Sequence, residues 1–284
     1  MIPAAFDYAA PTTLDEALRA LADAGDDAKI IAGGQSLLPV LRMRLNAPAM
    51  VVDLGKIDGL RGIREEGDAL VIGAMTTHDE IMHDALVHEH ALLLTKVTTT
   101  VADPQVRHRG TLGGSLVHAD PAGDLGAAAL ALDASFVIMG ASGSRTVSAE
   151  DFFVDLFETA VGEGEILTEI RVPKHTGWGA HYEKFVRVVH QWSIVAVAAT
   201  VHQDGGTIHE AKIGLTNMGS TPLRARATEE ALHGVFANDE AVRAAVANVA
   251  EGTNPPDDLN GDAAYRRDLA VVLARRAVLH ACGV

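Results

Sequence analysis

DPQVRHRGTLGGSLVHADPAGD, residues 103–124, sets Gly113 and Gly114 side by side between the hydroxyl residues Thr111 and Ser115. Arg107 and Arg109 lead in, and an Ala/Leu-rich run behind Pro121 leads out. Paired glycines let a backbone come close to a ligand with its amides turned toward a charged group, because no Cβ blocks the approach. A glycine pair alone reads as well as a tight surface turn ahead of a helix. The chain, however, carries the same chemistry twice. KIIAGGQSLL, residues 29–38, delivers Gly33, Gly34, Gln35 and Ser36 straight from an apolar, strand-like run. Backbone amides and a helix N-terminus suit a pyrophosphate, and Ser36 adds a hydroxyl donor. Lys29 is either a further phosphate contact or an ordinary solvated lysine. Two such loops predict a long, doubly phosphorylated ligand gripped from two sides.

Other nucleotide motifs are missing. Neither stretch has the G-x-G-x-x-G spacing of a Rossmann turn, and no Lys-Ser/Thr follows as in a Walker loop. There is no G-x-S-x-G elbow, and the paired carboxylates Asp257 and Asp258 sit in a loop without the apolar surroundings that shift a pKa. No side chain is therefore assigned a catalytic role; chemistry would rest on a cofactor. The single cysteine, Cys282, rules out an internal disulfide, and it also rules out an iron–sulfur cluster, which needs about four thiolates. The 13 histidines include no convincing ligand set: His88 and His90 come closest but lack a third partner, so no metal site is expected.

At 284 residues, 48% of them apolar, the chain has room for a large core and two domains. Its net charge of −15 argues against nucleic acid, which demands concentrated Lys and Arg. The start, MIPAAFDY, lacks the features of a signal peptide, and the longest apolar stretch, 125–141, is broken by Asp133 and too short to span a bilayer. A cytoplasmic protein is expected.

In chain order, residues 1–55 read as a small β-α-β-α-β unit. Thr13 and Glu16 form a capping box above an apolar face of Leu14, Ala17, Leu18 and Leu21. Strands fall at 29–32 and 51–54, and a helix at 37–45 takes Ser36 as its N-cap. Two strands are expected within 59–74 around the turn EEGD, then a second capping box at Thr77 and Glu80, and one long helix over 88–101. The Gly113-Gly114 stretch reads as a loop, 121–132 as a helix, 135–139 and 165–172 as strands, and the segment around 173–179 as a boundary. A hairpin over 194–202 and 207–215 follows. Helices at 227–236, 239–250 and 263–280 close the chain, the last with Tyr265, Leu269, Val272, Leu273, Arg276 and Leu279 at helical spacing.

AGGQSLLPVLRMRL (32–45) and QVRHRGTLGGSLVHADPAGDL (105–125) together resemble the FAD-binding medium subunit of molybdenum hydroxylases, the xanthine dehydrogenase FAD-domain family, and within it the medium chains of aerobic carbon monoxide dehydrogenase. The likeness extends to KFVR (184–187) and to the late helix with Arg275 and Arg276. It implies an α+β fold: an FAD domain of the PCMH type over 1–175, in subdomains 1–55 and 56–175, then a C-terminal domain over 176–284 with an antiparallel sheet and a helix bundle. FAD would lie between the subdomains, its pyrophosphate held by Ala32, Gly33, Gly34, Gln35, Ser36 and Leu37 and by Thr111, Gly113, Gly114 and Ser115. Asp124, Leu167 and Lys184 match further contact positions. Trp192 matches an aromatic beside the isoalloxazine, where its ring would stack; a core tryptophan is the other reading. Two positions depart from the common pattern, His108 where relatives carry Asn and Gln191 where they carry an acid; neither removes a glycine-loop contact.

The resemblance further implies electron transfer from the [2Fe–2S] clusters of a small subunit to FAD, and on to a quinone, NAD or oxygen. Molybdopterin belongs to a large subunit, and the assembly is a dimer of heterotrimers. A stand-alone flavin oxidase or reductase, and a regulatory nucleotide-binding module, are the competing readings.

Overall fold

The computed structural model describes residues 2–284; Met1, with which the leader reading begins, lies outside them. Asp7–Ala9, Met50–Asp53 and Ala28–Ile31 form a three-stranded parallel sheet, with Met50–Asp53 in the middle. The helix Leu14–Ala24 crosses between its strands. Its capping box forms as read: Thr13 Oγ1 accepts from the Glu16 amide at 3.2 Å, and Glu16 Oε2 accepts from the Thr13 amide at 3.2 Å. Ala17 and Leu21 are buried beside Val52, Leu54 and Ile57 in a small core that Met75 and Ile166 complete.

Ile63–Glu66, Ala69–Gly73, Ile166–Pro173, Ser135–Gly140 and Gly143–Ser148 form a five-stranded antiparallel sheet in that order. Phe136 and Ile138 alternate with half-buried neighbours, the period-two pattern of a strand with one core face. The face covers the helices Leu92–Thr99, Leu112–His118 and Asp124–Ala131. Gly143–Ser148 escapes sequence reading because GSRTVS is almost wholly exposed, as suits an edge strand.

The third sheet runs Gly179–Phe185, Val195–Asp204, Thr207–Thr216, Leu223–Arg224. Val195 through Val201 are all buried, because both faces of this strand are covered. Ala196 and Ala198 belong to the core beneath the second sheet, whereas Val195, Val197, Ala199 and Val201 meet the helix Ala263–Ala281. Contact with the second layer is close: a Cβ on Gly214 would stand 3.0 Å from Ala127 Cα. The Ala-rich helix Asp124–Ala131 thus fits against a strand that has no side chain at the crossing point.

Several expectations need correction. The helix placed at 88–101 is two, Ala85–His90 and Leu92–Thr99, parted at Ala91, whose φ of −144° leaves the helical range. The segment 121–132 becomes helical only at Asp124, since Asp120–Gly123 is a turn closed by Gly123 N donating to Asp120 O. Helices read to 45, 236 and 250 end at Arg42, Leu232 and Ala245. The stretch around 173–179 lies between the strands Ile166–Pro173 and Gly179–Phe185.

Of the residues at helical spacing in the last helix, Leu273 is buried and Leu269 and Leu279 pack against its core, and the rest of the set faces outward. Tyr265, Val272 and Arg276 are exposed, while Arg266, Ala270, Leu273, Ala274, Ala277 and Val278 are buried. Arg266 is fully enclosed: it donates to Asp258 Oδ1 at 2.6 Å and to the Ile194 carbonyl. A buried guanidinium with matched acceptors outweighs the apolar pattern that hydrophobicity alone would choose. Among the described residues no helix is long and apolar enough to cross a membrane.

Candidate functional site

The two glycine stretches meet. Gly33 leaves the strand Ala28–Ile31 and packs on the turn before Thr111, so that a Cβ there would stand 2.7 Å from both the Arg109 carbonyl carbon and Gly110 Cα. Gly114 answers from the other side, where an added Cβ would lie 3.2 Å from Ala32 Cβ and 2.8 Å from Thr111 Oγ1. Contact this close between backbones is what glycine permits and any larger residue prevents. Gly34 turns the chain with φ of +74°, a conformation that costs an L-residue about 1–2 kcal/mol.

The stretches differ in what their amides do. From Gly33 to Leu37 no backbone N–H is donated to another described residue; the first such bond runs from Leu38 N to Gly34 O at 3.0 Å. Amides left unpaired at the start of the helix Leu37–Arg42 are donors of the kind an anion takes up. Ser36 occupies the N-cap position as expected, but its side chain makes no cap bond and has no hydrogen-bond partner among the described residues.

Gly113 and Gly114, by contrast, are not in a loop. They lie in the first turn of the helix Leu112–His118, capped by Thr111. Gly113 N donates to Ala74 O at 2.9 Å, and Gly114 N donates to Thr111 Oγ1 at 3.1 Å. Their amides are already satisfied, so this pair supplies close packing: a Cβ on Gly113 would press on Ala74 Cβ at 2.6 Å. Ser115, half-buried one residue on, has its amide bonded back to Thr111 O at 3.1 Å.

The remaining residues singled out by resemblance fall into separate places. Asp124 and Lys184 face each other, Lys184 Nζ to Asp124 Oδ2 at 2.7 Å, with side chains only 11% and 4% exposed for the lysine and the aspartate. Asp124 Oδ1 accepts from Tyr182 Oη at 2.7 Å and Ser193 Oγ at 2.8 Å, while Lys184 also donates to Thr100 O at 3.2 Å. Burial, then the Asp124 charge, push the Tyr182 hydroxyl well above its ordinary pKa, so it stays a donor. This cluster bolts the helix Asp124–Ala131 to the third sheet. Leu167 is buried in the second sheet opposite Ile138. Trp192, immediately before Ser193, is 52% exposed, so it is not a core tryptophan; Lys29 is exposed on its strand.

His78, which sequence reading passed over, lies under the second glycine stretch. Its amide donates to Gly110 O at 3.0 Å, and a Cβ on Gly110 would stand 2.9 Å from its ring. The ring is buried, its Nδ1 has no partner among the described residues, and burial together with the Arg107 charge lowers its pKa from 6.5 to about 4. An unfolded chain would take up this proton near pH 6.5 and the folded chain only near 4. The contribution is thus constant above pH 6.5 and turns unfavourable as pH falls through that window, by about 3 kcal/mol at its lower end. Thermal melts of wild type and His78→Phe between pH 7.5 and 4.5 should show a shallower decline for the variant; parallel declines would contradict the assignment.

His88 is exposed, whereas His90 is buried with Nδ1 2.7 Å from Thr176 Oγ1, so the pair does not converge. A different set does: His181, Glu183 and His280. His181 and Glu183 are two apart, but His280 lies about a hundred residues on, where no local spacing could announce it.

The family model described as the FAD binding domain in molybdopterin dehydrogenase matches residues 4–175, and that of the CO dehydrogenase flavoprotein C-terminal domain matches residues 180–281. The carbon monoxide dehydrogenase medium chain of Hydrogenophaga pseudoflava is 40% identical over 281 residues, 98% of this chain and 97% of that one. The solved carbon monoxide dehydrogenase from the same organism, which lacks the Mo-pyranopterin moiety of its cofactor, superposes with a TM-score of 0.95 at 42% identity, covering 100% of this chain and 99% of that chain. Quinoline 2-oxidoreductase from Pseudomonas putida 86 superposes with a TM-score of 0.94 at 34% identity, again covering 100% and 99%. With both family domains present in sequence, and with unpaired amides backed by a packed glycine helix, the chain belongs to the FAD-binding subunits of the molybdopterin dehydrogenases.

Proposed function

We propose that this chain is the flavoprotein subunit of a carbon monoxide dehydrogenase-like molybdenum hydroxylase. In it, electrons leave the [2Fe–2S] clusters of a small subunit and reach an external quinone, NAD or oxygen. The observation that carries the reading is the pair of interlocked glycine stretches with its row of undonated amides from Gly33 to Leu37. Bound FAD would supply the redox chemistry. The chain's own residues would bind, orient and exclude water. On this reading the amides from Gly33 to Leu37 cradle the pyrophosphate, with the Ser36 hydroxyl as a further donor and the helix Leu112–His118 as the wall behind it. Thr111 and Ser115 serve as wall residues, and exposed Trp192 offers a ring face for the isoalloxazine. Lys29 stands at the far end of the strand, able to contribute positive charge without a fixed contact. Asp124, Lys184 and Leu167 act by holding the layers together.

The same proposal divides the chain at 175/176 and places molybdopterin in a large partner subunit. It puts the complex in the cytoplasm as a dimer of heterotrimers. Buried Cys282, its thiol pushed up to about 11, is the only thiol here, so iron–sulfur clusters must reside in another chain. The substrate class follows the large subunit, since relatives of this fold serve carbon monoxide and quinoline enzymes alike.

Co-expression with the genes beside it tests the reading. The expected result is co-elution of this chain, carrying FAD, with a cysteine-rich chain and a molybdenum-containing one. A yellow chain that turns over alone would replace the proposal with a free-standing oxidase. A colourless chain that cannot be loaded with FAD would remove it.

A further inference from the structure

His181 and Glu183 are two apart on the strand Gly179–Phe185, so their side chains share one face of the sheet. His280 comes from the last turn of the helix Ala263–Ala281, which runs against that strand. His181 Nε2 is 3.0 Å from Glu183 Oε2 and 3.3 Å from His280 Nδ1, and His280 Nδ1 is 3.6 Å from the same Glu183 oxygen. A tetrahedral zinc ion with donors at about 2.0–2.1 Å would hold them about 3.3–3.4 Å from one another. The three atoms already mark out one face of such a tetrahedron. The rings stand at 64° with centroids 4.6 Å apart, so each turns an edge nitrogen toward the common point rather than stacking.

We propose that His181, Glu183 and His280 form a binding site for a divalent cation of the zinc class, with a fourth position open to water. Two imidazoles and one carboxylate are a borderline-soft donor set suited to zinc. The frame is fixed before any ion arrives. Gln203 Nε2 donates to Cys282 O at 2.8 Å, and Gly179 packs so close to the end of the helix that a Cβ there would stand 2.9 Å from the Ala281 carbonyl carbon. Both contacts lie at the Gly179 end of the trio, where they tie the helix end to the third sheet. His280 is half-exposed, which gives the ion a route in and leaves a coordination position to solvent.

Positive charge sits at the rim: Arg276 Nη1 lies 3.7 Å from Glu183 Oε1, and Lys96 is near enough to repel charge on His181. The affinity is accordingly lower than that of a closed four-ligand structural site. The bound ion would clamp the end of the last helix to the edge of the third sheet.

Titration of the full, chelator-treated chain with Co²⁺ tests this, because tetrahedral cobalt absorbs visibly and zinc should displace it. The expected result is saturation at one equivalent with tetrahedral bands, lost on adding zinc. His181→Ala and His280→Ala should each weaken binding by more than about tenfold, the lower bound for disturbing even an outer-shell partner, while His88→Ala leaves it unchanged. Zinc should raise the melting temperature of wild type and not of His280→Ala. Should His181→Ala fail to fold, His280→Ala and Glu183→Gln carry the comparison, since His280 is a half-exposed residue at a helix end. The absence of saturable cobalt binding, or saturation undiminished in His280→Ala, would overturn the proposal.

Discussion

Gly33→Ala is expected to bind FAD about 10–100-fold more weakly than wild type while keeping a cooperative melt. The new methyl group would stand 2.7 Å from the Arg109 carbonyl carbon and from Gly110 Cα, both backbone atoms that no rotamer change can move aside. Relief requires the two glycine stretches to part. Overpacking of this kind costs about 1–3 kcal/mol, which a domain with about 5–15 kcal/mol of stability survives. The same strain falls wholly on the amide cradle, and that range corresponds to roughly 5–150-fold in affinity. Gly59→Ala is the control: nothing lies within 4 Å of its would-be Cβ, and its affinity should match wild type. Flavin fluorescence titration reads both. Equal affinities for wild type and Gly33→Ala would show that the contact between the stretches is not part of the binding site.

Asp124→Ala should be the most destabilising single change in the chain's interior. It leaves Lys184 buried with only the Thr100 carbonyl at 3.2 Å, and it removes the acceptor shared by Tyr182 and Ser193. Breaking one half of a buried ion pair costs about 3–5 kcal/mol, because the surviving charge is stranded. For a chain of this size the midpoint should fall by on the order of 10 °C. Asp124→Ala combined with Lys184→Met should recover much of the loss, since the two effects share one contact and do not add. The loss should appear without FAD present. If the pair served FAD directly, the apo melt would barely move and only FAD affinity would fall.

That distinction marks where sequence reading ran out. Both glycine pairs stood out because a Gly-Gly pair with a serine within two residues is a local pattern, and so did both capping boxes, at Thr13 and Thr77. Local patterns do not reveal whether an amide is already engaged. The Ala74 carbonyl that takes the Gly113 amide arrives from a distant strand end, so the second pair looked like a loop and is a helix turn. The resemblance gave Asp124 and Lys184 as FAD contacts, and only folding reveals that they face each other. The strand Val195–Asp204 was legible because coverage on both faces makes it uniformly apolar. The last helix was legible in its span but not in its whole inward face, which adds alanines and a buried Arg266 to Leu273 while Val272 and Tyr265 look outward. His181 and His280 belong to separate elements joined only by packing, so no spacing rule could have paired them.

The central claim is that backbone amides from Gly33 to Leu37 hold the diphosphate of FAD. Amide NMR spectra of the ¹⁵N-labelled chain, recorded as FAD is added, test it most directly. The account predicts large downfield shifts at Gly33, Gly34, Gln35, Ser36 and Leu37, reproduced in part by ADP, with Gly113 and Gly114 moving little because their protons already have partners. FAD binding that left the amides from Gly33 to Leu37 unshifted would contradict it.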